Sequence, residues 1–197
     1  MARVVRVGVA LLLVGIAACA STKITSTWRD PAVTPVEFHR VVGIAMSQDT
    51  TLRRLAEDEF VRAVGPGTAI AGYSVVADDE LKDKERVRQR VEAAGADGVV
   101  VFRLAGVEQQ TRWVPPTTYG NAWGYWGYAA PLVYQPGYLT TDTIVQVESN
   151  AWMVAGARLV WSARSETFNP KDVDAVIDGV VEASVAELRK AGLLAAR

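Results

Sequence analysis

Residues 98–104 contain Val99-Val100-Val101-Phe102, a run that is apolar at every position instead of at alternate ones. Successive side chains of a strand point to opposite faces of its sheet, so this segment reads as a central strand covered by helices on both sides. The residues before it supply those helices. An almost continuous apolar run at 40–46 (Val41, Val42, Ile44, Met46) predicts a first strand. Leu52, Leu55, Ala56, Phe60, Ala63 and Val64 recur at helical spacing over 51–64, and Gly65-Pro66-Gly67 ends that helix. A short strand at 73–77 and a helix at 83–94, with Val87, Val91 and Ala94 inward and Gly95 as its stop, complete a βαβαβ pattern.

The pattern then changes. Residues 107–114 stay extended, and 140–154 alternate, with Val145, Val147, Ala151 and Met153 on one face and Gln146, Glu148 and Asn150 on the other. Ala155-Gly156 turns the chain into a partner strand at 158–168 carrying Leu159, Trp161 and Ala163. A last helix follows, with Asn169 as cap, Pro170 in the first turn, Asp172 at the positive helix end and Gly192 as its close. Its expected buried stripe is Val173, Val176, Ile177, Val180, Ser184 and Leu188. The expectation is an α/β domain over 40–192: a single-layer mixed sheet of about five strands with two or three helices packed on it, in the order β-α-β-α-β-β-β-α.

The amino terminus specifies an address. Arg3 and Arg6 precede about twelve apolar or small residues from Val7 to Ala18, long enough for a signal-peptide core and too short for a bilayer span. Ile16-Ala17-Ala18-Cys19 then resembles the lipobox of bacterial lipoproteins. That resemblance implies export, cleavage after residue 18 and a lipid on Cys19, the only cysteine, with 19–39 as a lipidated tether. By the same resemblance, Ala20 and Ser21 without an aspartate point to the outer membrane, with the domain facing the periplasm. The alternative is plain secretion, with Ala18-Cys19-Ala20 read as a cleavage site that releases a soluble chain from Ser21.

Of 21 basic and 22 acidic residues, only Arg3 and Arg6 fall within 1–18, so the remaining chain has three more acids than bases. No basic stripe marks a nucleic-acid partner. About 180 residues, half of them hydrophobic, suffice for one buried core without a disulfide. The order of elements resembles small periplasmic α/β modules of the TolB amino-terminal and CsgG-like type. Trp28-x-Asp30-Pro31, Gly95-Ala96-Asp97 and Leu159-Val160-Trp161-Ser162 are similar to segments of an uncharacterised group of bacterial envelope lipoproteins, which implies location and fold but no activity.

Catalytic chemistry is not evident. His39 is the only histidine and lies at a strand start, and the chain cannot supply the Cys and His set usual for zinc. Asp78-Asp79-Glu80 lacks the alternating ligands of a calcium loop, and Glu57-Asp58-Glu59 reads as a solvated helix face. Gly65–Gly72 follows a helix and has no phosphate-binding lysine. Arg29, Arg103, Arg112, Arg158 and Arg164 would meet an anion only if the fold gathered them. No enzyme activity, cofactor or metal is expected.

The functional candidate is the aromatic, glycine- and proline-rich insertion at 113–138. It carries Trp113, Tyr119, Trp123, Tyr125, Trp126, Tyr128, Tyr134 and Tyr138, five of the six tyrosines and three of the six tryptophans. Such rings offer large contact area at small entropic cost. The expected role is a non-catalytic binding or assembly module of the cell envelope, anchored to the membrane and contacting an envelope protein or the membrane surface through this segment. The alternative is a glycan-binding module, with Asn121 and Gln135 as thin hydrogen-bonding support, and a purely structural lid remains open beside both.

Overall fold

The computed structural model describes residues 21–33, 37–119 and 133–196. A six-stranded mixed sheet runs in the order β1-β8-β7-β4-β2-β3. Its strands are β1 (Ser21–Arg29), β2 (Val41–Ala45), β3 (Ala69–Ala71), β4 (Gly98–Val114), β7 (Tyr138–Met153) and β8 (Arg158–Phe168), while β5 (Thr117–Tyr119) and β6 (Val133–Gln135) pair apart from it. β2 lies parallel to β3 and β4, and the remaining pairs are antiparallel. The α/β class with a mixed sheet is the one expected, with one more strand in the sheet.

Helices α1 (Thr50–Val64), α2 (Lys84–Ala93) and α3 (Val173–Lys190) cover the sheet unequally. The chain steps from β2 to β3 and then back past β2 to β4, and right-handed crossovers in opposite directions put α1 and α2 on opposite faces. The alternation of β2 shows this directly. Val41 joins Phe60, Phe102, Trp161, Val180 and Leu188 in the main core, while Val42 and Ile44 join Val91 and Ala96 in a smaller one. α3 runs beside α1 and across β1, where a Cβ on Gly179 would collide with Thr22, so only glycine allows that approach. Phe60 packs edge-on to Phe102 at 5.7 Å.

Several boundaries differ from the expectation. Ser21–Arg29, read as tether, is the edge strand β1, in register with β8 from Ser21↔Phe168 to Arg29↔Trp161. Its sequence, rich in Ser and Thr, has little apolar alternation because only one face is half covered. The second strand is Ala69–Ala71, not 73–77, since the chain enters it straight from the Gly65–Gly67 turn and residues 72–74 form a 3-10 turn. Residues 98–114 form one strand of 17 residues, interrupted by a bulge between Leu104 and Gly106. Asp172, not Asn169, caps α3, accepting from the Ala175 N–H at 2.9 Å. Asn169 instead has φ +44° and clasps β7, accepting from the Thr143 N–H at 2.7 Å and donating to Asp142 at 2.8 Å.

The three quoted motifs prove to be joints. Asp97 accepts from the His39 and Arg40 N–H groups at 2.8 and 3.0 Å, binding the start of β2 to the start of β4. β1–β8 pairing sets Trp28 opposite Ser162 and Arg29 opposite Trp161, while the Asp30 N–H donates to the Val160 carbonyl. Arg158 donates to Asp30 at 2.8 Å. The Ala32 N–H and Arg158 together hold the Asp30 carboxyl below its usual value.

Glu57 overturns the reading of 57–59 as a solvated face. With Arg53 and Phe60 it occupies the buried side of α1, and both charged residues are fully buried. Arg53 Nε donates to Glu57 Oε1 at 2.9 Å, and its other nitrogens reach Asp78 Oδ1 at 2.5 Å and the Val76 carbonyl at 2.9 Å. Glu57 also accepts from the Ala45 N–H at 3.0 Å and from the Tyr73 N–H. Burial pushes its carboxyl up, against these donors. The pair ties α1 to the end of β2 and to the turn after β3. Arg53→Ala should cost about 3–5 kcal/mol, because it leaves the Glu57 carboxylate buried without a cation, and Glu57→Ala should cost less, because Arg53 keeps Asp78. Chemical denaturation of the double variant should show a loss well below the sum of the two; additive losses would refute the coupling.

Candidate functional site

β4 and β7 outgrow their neighbours. β2 follows β4 only as far as Phe102, opposite Ala45, and β8 follows β7 only as far as Ile144, opposite Phe168. The two strands continue together from Gln109↔Thr143 to Val114↔Tyr138. These six rungs make a two-stranded arm of roughly 20 Å, and past Thr143, which Asn169 clasps, neither of its backbone edges pairs with a further strand among the described residues. β5 and β6 pair beyond it, Thr117 with Gln135 and Tyr119 with Val133.

The bulge at Leu104/Gly106 fixes which residues share a face. Val107, Gln109, Thr111 and Trp113 lie with Leu139, Thr141, Thr143 and Val145 on the face that continues the helix-covered side of the sheet. That face has no charge. Trp113 and Leu139 form its outer rung at 57% and 67% exposure, and the Thr111 and Thr141 hydroxyls hydrogen-bond across it at 3.4 Å. The opposite face carries Glu108, Gln110, Arg112 and Asp142, with Arg112 3.7 Å from Asp142 and Gln110 donating to Glu108 at 2.8 Å. The arm is thus an amphipathic ribbon. Gly137 lies against the Trp113 ring, where a Cβ would strike it.

The uncharged face runs into an apolar groove at the arm's root. Between the apolar sides of α1 and α3 and the sheet lies a cavity of about 490 Å³ lined by Met46, Leu52, Leu104, Val107, Val145, Val173 and Ile177 among others. Val173, expected to be buried, is 51% exposed, and Val176 and Ile177 are only partly covered. A second apolar groove of about 500 Å³ lies under α2, between Leu81, Val87 and Val91 and the sheet residues Val99, Val101 and Trp152.

The expected contact residues divide accordingly. Trp113, Tyr134 and Tyr138 are exposed on the arm and its β6 extension. Tyr119 falls on β5 by its backbone, while Trp123, Tyr125, Trp126, Tyr128 and Asn121 lie outside the described residues, as does Cys19. The other candidates are occupied elsewhere. Asp78 serves Arg53 and Thr50, Glu80 pairs with Arg90 and Arg86, and Tyr73 donates to Asp58. Of the arginines, Arg158, Arg103 and Arg112 face Asp30, Glu148 and Asp142, so they do not gather into an anion site. The Asn150 amide and Arg103 hold the Glu148 carboxyl below its usual value on the open sheet face. His39 is exposed, 3.4 Å from Asp97. No three His, Cys, Asp or Glu side chains converge as a metal site among the described residues. Sequence reasoning missed the groove and the arm's two faces, which depend on where the neighbouring strands stop.

No protein-family model matches this chain, and no curated protein matches it. Among solved structures it is similar to the PelC dodecamer from Paraburkholderia phytofirmans, at 12% identity and a TM-score of 0.45, over 88% of this chain and 99% of that one. A single-substitution variant of that dodecamer gives the same identity and score, over 89% and 99%.

The arm adds exposed apolar surface without adding to the core. Thermal or chemical unfolding should therefore separate the two: Phe60→Ala should cost about 3–5 kcal/mol, while Trp113→Ser with Leu139→Ser should stay within about 0.5 kcal/mol of the parent. A large loss from the arm pair would make the arm part of the core.

Proposed function

We propose that this chain is a membrane-anchored, non-catalytic binding or assembly module of the bacterial cell envelope, and that the β4–β7 arm is its contact surface. One observation carries the reading: six rungs of paired strand extend past every neighbour in the sheet and present Trp113, Leu139 and Tyr138 to solvent. A two-stranded ribbon is marginal on its own in water, and exposed apolar surface of this kind marks an interaction site. The aromatic segment 113–138 that suggested a contact role from composition begins and ends on this arm, at Trp113 and Tyr138.

The anchor belongs to the same proposal. Cys19 stands two residues before β1, so a lipid there would hold the folded domain close to its membrane. Among the described residues no helix is long and apolar enough to cross a membrane. Attachment in this reading comes from the acyl chains, several of which give stable anchoring. The domain then supplies contact specificity and no chemistry, with the buried Arg53–Glu57 pair as an internal brace.

Intact mass and membrane partition of the native protein beside Cys19→Ser test the reading. A heavier, acylated, membrane-bound form that disappears in the variant is the expected result. An unmodified protein in the soluble fraction would overturn the anchor and leave a secreted domain.

A further inference from the structure

We infer that the uncharged face of the arm, together with the groove at its root, seats in the interface of the lipid bilayer. The inference rests on the Cys19 anchor proposed above and names the partner of that same surface.

Ser21 is in register with Phe168, and Phe168 with Ile144, so β1 begins on the rung where the arm leaves the sheet. β1 is antiparallel to β8, and β8 to β7, so the amino end of β1 points in the direction in which the arm projects. Cys19 is two residues upstream, and two residues span at most about 7 Å. A lipid on Cys19 therefore brings the bilayer within about 7 Å of Ser21, which lies two strand spacings, about 10 Å, from β7 at the arm's root. The arm reaches roughly 20 Å past that root in the same direction, too far to stay clear of the surface.

The arm's face that continues the groove offers Val107, Trp113 and Leu139 and no charge, while Glu108, Arg112 and Asp142 lie with Tyr138 on the opposite face; Arg103, which also lines the groove, is paired with Glu148. Tryptophan favours the membrane interface, and a ribbon with one charged and one uncharged face can keep its charges hydrated there. The open edges fix the depth. A lone two-stranded ribbon cannot satisfy its outer N–H and C=O groups in hydrocarbon, so the arm lies in the headgroup and upper acyl region and does not span.

The test is tryptophan quenching by brominated acyl chains. The acylated full chain is reconstituted in phosphatidylethanolamine–phosphatidylglycerol vesicles, with intact mass confirming the lipid and thermal unfolding confirming the fold of every variant. The parent should be quenched more than Trp113→Phe, the difference being the signal of Trp113. In the Trp113→Phe background, Gln110→Trp on the charged face should add no quenched component. Trp113→Ser with Leu139→Ser, in a Cys19→Ser chain, should lower vesicle binding by about tenfold or more. Acylated protein without a Trp113 component of quenching would overturn the inference while leaving the anchor intact. Equal quenching of the Gln110→Trp probe would overturn the face assignment, and an unacylated native chain would remove the anchor and the inference with it.

Discussion

The two halves of the sheet meet on β4. On one side it pairs in parallel with β2, which brings β3, α1 and α2; on the other it pairs antiparallel with β7, which brings β8, β1 and α3. Every crossover and both cores are set by this one strand. Val99 to Phe102 can alternate between two apolar environments because α1 and α3 close one face and α2 the other. The same strand then runs on for twelve residues after Phe102, where β2 has stopped. The arm is a consequence of that mismatch in strand length, and the bulge at Leu104/Gly106 turns its uncharged face to the side of the groove.

Stability and contact surface are thereby separated along a single strand. Up to Phe102, burial on both sides and the joint at Asp97 hold β4 in place. The Arg53–Glu57 brace secures the neighbouring end of β2, where α1 would otherwise be free to shift against the sheet. Beyond Phe102, side chains add surface and little core. The groove occupies the boundary, between Leu52 and Ala56 of α1 and Val173 and Ile177 of α3.

Much of the fold was legible in the sequence because it is written in local periodicity. The doubly apolar run at 99–102, the alternation over 145–153 and the stripes of α1 and α3 each identify their element. What escaped depends on partners distant in the chain. β1 has mostly Ser and Thr where a buried strand would have Val and Ile, β3 has only three residues, and Arg53 and Glu57 occupy core positions that no hydrophobic pattern reveals. Asn169 looked like a helix cap and proved to clasp β7, since Asp172 lies nearer the helix. For the site, composition singled out the aromatic segment, with Trp113, Tyr134 and Tyr138 on exposed strands. Its division into a charged and an uncharged face required the register and the bulge.

Whether the arm is a surface awaiting contact is read by hydrogen exchange of its backbone amides. Amides of 107–114 and 138–143 should exchange far faster than those of 99–102 and 147–151 in the isolated domain, and slow markedly in the native membrane. Arm amides as slow as the core in isolation, or unchanged in the membrane, would contradict the account.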